Sequence, residues 1–381
     1  MLRFVITSFL FFVGFSSVAL AQASAPQINA KAWVLYDLTA QTTLGGSNAA
    51  ERVDPASLTK LMTAYIVFAA LKAKTITLEQ NVPVSPRAWK AIGSRMFIEP
   101  NKPVTVAELL RGMIIQSGND ASIALAELIA GSEETFAQRM NTEAKRLGLT
   151  NTSYKNSTGL PDKDHYTSAD DLVKLSGALI REFPDHYPLY SQKEYTYNKI
   201  AQPNRNRLLW MDPHVDGLKT GHTEAAGYCL VASAKRGEPG KERRLISVVL
   251  GTTGDTARAV ESQKLLNHGF LNFDSVRYYS KGQSVATLPV WKGVAKEVKA
   301  GFGQELFLTL PKGQLERVKA NLITQKPLAA PLVEGQKIGE MQLMLDGKEI
   351  GKVPVLALEK VDAAGLFGRA LDSVKLWFEK G

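Results

Sequence analysis

Ser57 and Lys60 are residues whose types and spacing could do chemistry. A serine hydroxyl is a poor nucleophile at neutral pH and needs a nearby base. The apolar residues after Ser57 recur at helical spacing, and side chains three positions apart share a helix face, so Lys60 is expected to reach the Ser57 hydroxyl. A buried lysine near other cations can lose its proton and act as the base. The pair therefore predicts a serine nucleophile near a helix start, where backbone N–H groups would also stabilise an oxyanion.

Two further short motifs follow this pair, Ser117-Gly118-Asn119 and Lys219-Thr220-Gly221. Alone, the three motifs have ordinary interpretations: a capped surface helix, a turn between helices, and a strand with a turn. The ordered triple S-x-x-K, S-x-N and K-T-G is the signature of serine acyl-transfer enzymes that bind penicillin-like molecules. We expect the first motif to open a helix, the second to lie between helices and the third to lie on a strand.

Other kinds of catalytic site find less support in the sequence. The histidines show neither a Ser-His-Asp pattern nor a metal-binding spacing such as H-E-x-x-H, so no metal or other cofactor is expected. The single cysteine, Cys229, lies in an apolar run and is expected to be a buried small hydrophobe rather than a nucleophile. The histidines are His165, His186, His214, His222 and His268.

The net charge of +9 raises the question of a nucleic-acid partner. The chain has no long Lys/Arg run and no base-reading motif, so we expect no nucleic-acid binding. A mildly basic surface near anionic cell-surface polymers or lipids explains the charge equally well.

The first residues have the pattern of a secretory signal. Arg3 precedes an apolar run over Phe4–Phe15, and Ala19-Leu20-Ala21 offers small residues for cleavage before Gln22. The run is short for a spanning helix, which favours a cleaved signal peptide, residues 1–21, over an uncleaved anchor. We therefore expect an exported protein.

The remaining chain divides into a larger α/β part and a smaller β-rich part. Strand patterns at both ends of residues 22–275 flank a helical middle, which predicts a sheet capped by helices. From about Lys281, short strands alternate with Gly/Pro turns, which predicts a small all-β domain over residues 276–362. One predicted helix begins at Ser57. The others cover Val104–Gln116, Ala121–Ala130, Glu133–Leu147, Ser168–Phe183 and Arg258–Phe270.

The last segment, residues 363–381, has the pattern of an amphipathic helix. Such a helix is suited to a membrane interface, but the same pattern is typical of a helix docked on its own domain. Both interpretations stay open from the residues alone. One face carries Leu366, Phe367, Ala370, Leu371, Val374, Trp377 and Phe378, and the other carries Arg369, Asp372, Lys375 and Glu379.

The extended motifs over Pro55–Thr63, Ser117–Ala121 and Asp216–Thr223 resemble those of one family. The chain is similar to the low-molecular-weight penicillin-binding proteins of the serine-type D-alanyl-D-alanine carboxypeptidase family, penicillin-binding protein 5 among them. The similarity covers essentially the whole mature chain. It implies a β-lactamase/transpeptidase-like α/β fold, with an antiparallel sheet and a helical subdomain, followed by a β-rich domain and a membrane-anchoring helix.

This resemblance also implies catalytic roles. Ser57 would attack the carbonyl between the two terminal D-alanines of a peptidoglycan stem peptide and form an acyl-enzyme. Lys60 would accept its proton, Ser117 would relay a proton toward the leaving amine, and Asn119 would hold the substrate amide. Penicillins and other β-lactams would inhibit the enzyme by acylating Ser57.

The same resemblance implies a set of substrate-binding residues. Lys219 and Thr220 would face the terminal carboxylate, and Arg258 would assist them. Gly221 would let the substrate approach the strand, and the backbone N–H groups of Ser57 and His222 would form the oxyanion hole.

Asp171 matches an acidic position near the site in the family, although a carboxylate in the first turn of a helix explains it nearly as well. The implied location is the periplasmic face of the inner membrane, with peripheral attachment.

Three rival functions share the same core. A class A β-lactamase would carry S-D-N, where this chain has Gly118, and a deacylating glutamate, for which no E-x-x-L-N lies between Asn119 and Lys219. An endopeptidase that cuts peptide cross-links has identical core chemistry. A penicillin sensor would keep Ser57 without turning over peptide.

Overall fold

The computed structural model describes residues 26–238, 241–324 and 326–379. The chain divides into two compact units at the Asn272–Phe273 junction, where the sequence placed a boundary after residue 275. The predicted signal peptide, residues 1–21, lies outside the described residues. Among the described residues, no helix has both the length and the apolar character needed to cross a membrane.

The first unit is built around a five-stranded antiparallel sheet in the order β2-β1-β7-β6-β5. The strands are β1 Ala32–Asp37, β2 Thr42–Ser47, β5 Val215–Thr223, β6 Gly227–Arg236 and β7 Arg243–Thr252, with a separate hairpin of β3 Glu194–Tyr197 and β4 Ile200–Pro203. The helices are α1 Lys60–Lys72, α2 Pro86–Trp89, α3 Val106–Arg111, α4 Asn119–Ala130, α5 Glu133–Arg146, α6 Ala169–Glu182, α7 Leu208–Met211 and α8 Asp255–Asn272. The expected antiparallel sheet with a helical subdomain is thus confirmed.

Strands β6 and β7 are each buried without interruption over six central residues. A strand that is buried at every position has both faces covered, in contrast to the alternation of a half-exposed strand. Helix α8 packs against β6 and β7, and α6 packs against β1 and β7. The sheet is therefore a rigid support for the residues along its edge strand, β5.

Helix boundaries differ from the predicted ones where side chains cap the backbone. Thr105 and Glu108 form a capping box, so α3 begins at Val106 rather than Val104. Ser168 accepts a hydrogen bond from the Asp171 N–H, as predicted for a helix cap, and α6 begins one residue later.

The second unit is all-β apart from its last helix and a short 3-10 turn, within the ranges that the structure describes. A five-stranded sheet has the order β12-β13-β14-β10-β9, and β8 pairs with β11. Val298, Ile338 and Val355 lie in its separate core. The elements are β8 Phe273–Tyr279, β9 Ser284–Pro289, β10 Glu297–Gly301, β11 Leu306–Pro311, β12 Val318–Thr324, β13 Lys337–Leu345, β14 Lys348–Ala357 and α9 Leu366–Glu379.

Candidate active site

Ser57 lies in a short 3-10 turn, Ala56–Thr59, that leads directly into α1. Residues three apart eclipse each other in such a turn, which brings Lys60 next to Ser57. The turn packs closely against a neighbouring loop: a Cβ on Gly159 would lie 1.8 Å from the Ala56 carbonyl oxygen, and Gly159 has a φ of +85°. Only glycine tolerates this approach, so the loop fixes the position of the serine.

The Lys60 amine lies among three oxygen atoms. Ser57 Oγ is 2.9 Å away, Asn119 Oδ1 is 2.7 Å away and the Thr158 carbonyl oxygen is 2.6 Å away. Burial, assisted by the nearby Arg205 guanidinium, lowers the pKa of Lys60 to about 7. A substantial fraction of Lys60 is therefore neutral at physiological pH.

The partners of Lys60 decide where its lone pair lies. Asn119 Nδ2 donates to the Ile92 carbonyl at 2.7 Å, so Asn119 Oδ1 is free to accept. This oxygen and the Thr158 carbonyl take the two N–H groups of a neutral amine. The lone pair is then directed at Ser57, whose hydroxyl can donate its proton along the 2.9 Å contact.

Ser117 and Lys219 form a second serine–lysine pair. Ser117 follows a π-helical turn, Gly112–Gln116, and has a left-handed backbone with φ 67°. Non-glycine residues in this conformation are rare and concentrate at functional sites. The Ser117 hydroxyl accepts a hydrogen bond of 2.9 Å from Lys219 Nζ. Burial, together with the charge of Lys60, holds the pKa of Lys219 well below its usual value.

Strand β5 brings Lys219, Thr220 and Gly221 to the Ser57 turn. A Cβ on Gly221 would lie 3.1 Å from the Pro55 carbonyl oxygen and 3.3 Å from the Ala56 Cβ. The space beside Gly221 is therefore filled by the Ser57 turn, and glycine is needed here for packing of the strand. This packing is a second reason for the glycine, beside the predicted approach of the substrate to the strand, since Gly221 also lines a cavity that it shares with Ser57.

A cavity of about 580 Å³ opens over these residues. Three arginines line it, and the sole acidic residue among its lining residues is Asp255. The arginines give the cavity wall a positive charge, and Lys60, Asn119 and Lys219 lie buried beneath it. From the predicted set the lining contains Ser57, Ser117, Thr220, Gly221, His222 and Arg258, and it also contains Ser94, Gln116, Pro203, Asn204, Arg205, Arg207, Tyr228 and Asp255.

Arg258 and His222 both rest on Tyr228. The Arg258 guanidinium carbon lies 5.5 Å from the Tyr228 ring centre, and the His222 ring stacks on the same ring at 4.0 Å. Arg258 also donates to the Gly221 carbonyl oxygen at 3.0 Å and pairs with Asp255. Arg258 thus holds the end of β5 in place while its guanidinium lines the cavity.

Asp171 belongs neither to the lining of this cavity nor to the buried group of Lys60, Asn119 and Lys219 beneath it. Its carboxylate accepts hydrogen bonds from the Asn151 backbone N–H at 2.7 Å and the Thr152 hydroxyl at 2.8 Å, and it pairs with Lys174 at 3.0 Å. These contacts favour the second of the two interpretations, a carboxylate in the first turn of α6 that holds the preceding chain.

Arg205 is a cavity residue that the sequence analysis missed. Its side chain is exposed, lines the cavity and has no hydrogen bond or ion pair to any residue that the structure describes. Arg207, two residues on, is paired with Asp255 at 2.5 Å. The only signal in the sequence was a lone arginine between Asn204 and Asn206, which carries no helical or strand periodicity.

The loop that precedes α3 is a second feature that the sequence analysis missed. Asn119 and Asp120 hold this loop in place. The Asn119 backbone N–H donates to the Ser94 carbonyl at 2.7 Å. The buried Asp120 carboxylate accepts from the backbone N–H groups of Met96, Phe97 and Ile98 at 2.9, 2.8 and 3.2 Å. Ser94 reaches the cavity because these bonds fix the loop.

The sheet order and the two serine–lysine pairs place the protein among the penicillin-binding serine acyl-transfer enzymes. Comparison with known families narrows this class. Residues 19–254 match the family described as D-alanyl-D-alanine carboxypeptidase, and residues 273–363 match the C-terminal domain of penicillin-binding protein 5. The chain therefore belongs to the D-alanyl-D-alanine carboxypeptidase family, as a serine-type enzyme.

Individual relatives agree with this assignment. The chain is 45% identical to D-alanyl-D-alanine carboxypeptidase DacC of Escherichia coli, over 98% of this chain and 95% of the relative. The crystal structure of penicillin-binding protein 5 from Haemophilus influenzae matches with a TM-score of 0.86 and 42% identity, over 89% of this chain and 99% of that one. Penicillin-binding protein D2 from Listeria monocytogenes, in an ampicillin-bound form, matches with a TM-score of 0.58 and 30% identity, over 64% of this chain and 98% of that one.

Proposed function

We propose that this chain removes the terminal D-alanine from peptidoglycan stem peptides ending in D-Ala-D-Ala, through an acyl-enzyme on Ser57. The observation that carries the proposal is the Lys60 amine, which is 2.9 Å from Ser57 Oγ and has its N–H groups engaged by two acceptors. This geometry supports a serine activated without histidine.

In the acylation step, neutral Lys60 takes the Ser57 proton as Oγ attacks the carbonyl between the two D-alanines. The backbone N–H groups of Ser57 and His222 stabilise the oxyanion. When the C–N bond breaks, Ser117 passes a proton to the leaving amine and regains one from Lys219, with which it shares a hydrogen bond of 2.9 Å. D-Alanine leaves, and the proton held by Lys60 passes to Lys219 through solvent in the cavity, which restores both residues. Water then attacks the ester, neutral Lys60 accepts the water proton and returns a proton to Ser57 Oγ as the C–O bond breaks, and the shortened peptide is released.

Recognition of the substrate rests on its free terminal carboxylate. Thr220 on β5 lines the cavity together with Ser57, Lys219 lies buried beneath it, and Arg258 fixes the end of that strand. Arg205 adds a guanidinium that has no ion-pair partner among the described residues. Asn119 gives one Nδ2 hydrogen to the Ile92 carbonyl, which leaves the other to hold the substrate amide. A cationic cavity selects a peptide end over an internal segment, which supports carboxypeptidase over endopeptidase activity.

The role of Ser57 is tested by reaction with penicillin. The mature chain should become covalently labelled, and mass spectrometry of its peptides should place the added mass on Ser57. Ser57→Ala should remove the label, whereas Ser94→Ala, which changes another serine lining the same cavity, should keep it. A label that persists in Ser57→Ala would reject Ser57 as the nucleophile.

The alternatives are separated by substrate. Release of D-alanine with slow turnover of penicillin supports the carboxypeptidase. Cleavage of cross-linked peptide dimers at a comparable rate would favour the endopeptidase, and rapid penicillin hydrolysis would favour the β-lactamase. Labelling without any D-alanine release would favour a sensor.

We also propose that residues 1–21 direct export and that residues 22–275, 276–362 and 363–381 are a catalytic domain, a β-rich domain and a peripheral anchor. The support for the anchor is α9, whose Phe367, Trp377 and Phe378 are 89%, 71% and 71% exposed. Large apolar side chains on one exposed helix face fit a lipid interface. The protein would then sit on the periplasmic face of the inner membrane.

Deletion of residues 363–381 tests the anchor. The shortened protein should leave the membrane fraction and keep its penicillin labelling. Unchanged membrane association of the shortened protein would reject the anchor.

A further inference from the structure

The polar side of helix α9 faces the rest of the second unit. Gly368, Asp372 and Leu376 are buried or half-buried, while the residues around them are exposed. These three positions are four residues apart and form one stripe along a helix. The large apolar residues lie on the opposite face, since each residue turns the helix by about 100°. The helix is therefore docked by the side that the sequence marked as polar.

Asp372 makes the contacts that hold this stripe. Its carboxylate accepts hydrogen bonds from the Lys292 backbone N–H at 2.6 Å and from Lys296 Nζ at 3.0 Å, and it is 7% exposed. Carboxylates that accept from a backbone N–H and an ammonium together form charge-assisted bonds. A carboxylate in the middle of an amphipathic helix thus binds protein rather than water.

The loop that receives Asp372, residues 291–296, is itself firmly held. It is closed at its base by a hydrogen bond of 2.8 Å from the Val290 N–H to the Lys296 carbonyl. The Ala364 N–H donates to the Lys292 carbonyl at 2.8 Å, which ties the chain just before α9 to the same loop. The helix is thus connected to the β-rich unit at its start and near its middle.

We propose that Asp372 latches α9 to loop 291–296, so that the helix forms a fixed layer between the β-rich unit and an anionic lipid surface. This inference rests on the proposed membrane attachment through residues 363–381. A latched helix holds the β-rich unit about one helix diameter, roughly 10 Å, above the lipid. A helix joined only by the segment 358–365 would let the unit move freely.

Charge supports a lipid surface as the occupant of the apolar face. Arg369 and Lys375 lie on either side of the Asp372 stripe, at about 60° to it, and both are exposed. Lysine and arginine along the flanks of an interfacial helix attract anionic headgroups while the apolar residues enter the lipid. Because Lys296 offsets the charge of Asp372, the latched helix presents no unpaired carboxylate from this stripe.

The latch is tested by distances between two spin labels in the full mature chain. Cysteines replace Ser373 on α9 and Ile323 on β12, which is the opposite edge strand of the five-stranded sheet from β9. The buried Cys229 is replaced by alanine. Distances are measured in solution and on vesicles of phosphatidylcholine and phosphatidylglycerol, and vesicle binding is measured by sedimentation.

We expect the wild-type latch to give one narrow distance distribution, in solution and on vesicles. Asp372→Ala should broaden it several-fold while the protein still sediments with vesicles, because the apolar face is unchanged. Asp362→Ala is the matched control, since that carboxylate is 69% exposed and pairs with Lys360, and its distribution should stay narrow.

Two results would contradict this inference in different ways. If the protein with an intact Asp372 binds vesicles but has a distribution as broad as that of Asp372→Ala, the latch is wrong and the anchor stands. If it does not sediment with vesicles, the proposed anchor fails, and with it the lipid layer.

Discussion

Lys60 has to be buried and yet able to accept a proton. Complete burial lowers its pKa to about 7, which leaves it neutral often enough to serve as a base near physiological pH. Its contacts with Asn119 and Thr158 add direction, because they leave one lone pair for Ser57. The same residue type on the surface would hold its proton and could not act in this way.

The first prediction concerns pH. Acylation by a fluorescent penicillin should rise as pH increases through about 7, and below this value the second-order rate should fall about tenfold per pH unit. The sign follows from the base being the deprotonated amine. Because Lys219 titrates in the same site, the measured midpoint belongs to the pair. An acylation rate that stays constant between about pH 5 and pH 8, the interval in which Lys60 is expected to titrate, would contradict its role as the base.

The second prediction concerns Arg205, which has no ion-pair partner among the described residues. Arg205→Ala should lower kcat/KM for a D-Ala-D-Ala peptide by roughly tenfold, mainly through KM, because a partly exposed charge-assisted bond is lost. Arg207→Ala is the control, since Arg207 already pairs with Asp255 at 2.5 Å. Equal effects of the two substitutions, measured by steady-state kinetics, would count against carboxylate recognition by Arg205.

At the scale of elements, the site depends on how closely β5 approaches the Ser57 turn. The third prediction is that Gly221→Ala lowers penicillin acylation by about tenfold or more, because a new Cβ would meet the Pro55 carbonyl at 3.1 Å. Gly254→Ala should have little effect, since a Cβ there would have no neighbour within 4 Å. Retained acylation in Gly221→Ala would show that this packing can relax without harm.

The loop 156–165 supports the same turn from the other side. His165 Nδ1 accepts from the Lys155 N–H at 3.3 Å, so its Nε2–H is left to donate to the Thr59 hydroxyl at 2.9 Å. Burial lowers the pKa of His165 to about 4, so the ring is neutral in the folded protein at physiological pH. The neutral His165 ring thereby holds Thr59, the residue directly before Lys60, in place.

The fourth prediction follows from the burial of the neutral His165 ring. The unfolded chain binds a proton at His165 near pH 6.5, and the folded one only near pH 4, so stability falls as pH drops through that window. At pH 5 the loss is about 2 kcal/mol. His165→Gln keeps an N–H donor for Thr59 but does not titrate, so urea unfolding at pH 7 and pH 5 should show a smaller loss. Equal losses of stability in the wild-type protein and in His165→Gln would contradict this role of His165.

The sequence identified the elements that carry local patterns. Ser57, Lys60, Ser117 and Lys219 were found because each lies in a short motif, and the structure brings all four together. Ser57 was assigned to a regular helix, whereas it lies in a 3-10 turn whose shape depends on contact with Gly159. Such long-range packing leaves no periodic signal in the sequence.

Elements and residues without a local pattern were missed. Strand β8 follows α8 without an intervening turn residue, so the sequence has no punctuation there. Strand β12 does alternate between half-buried and exposed residues, so its pattern was present in the sequence and was overlooked. The Thr158 atom that accepts a hydrogen bond from Lys60 is a backbone carbonyl oxygen, which any residue type could supply. Arg205 becomes meaningful only when folding brings it to the cavity.

For the molecule as a whole, the two units have separate cores. Every residue proposed for catalysis or substrate binding lies in the first unit, and the proposed anchor lies in the second. Chemistry and attachment are thus carried by different parts of the chain. Substitutions in one part are expected to leave the activity of the other unchanged, because each part folds around its own core.

The release of D-alanine by the full mature chain tests the central claim most directly. A pentapeptide ending in D-Ala-D-Ala should lose one D-alanine per molecule, and Ser57→Ala should abolish the release while the protein stays folded by circular dichroism. A peptide ending in D-Ala-D-Ala-amide, which lacks the free carboxylate, should be cleaved far more slowly. D-Alanine release that persists in Ser57→Ala, or no release by the unmodified chain, would contradict the account.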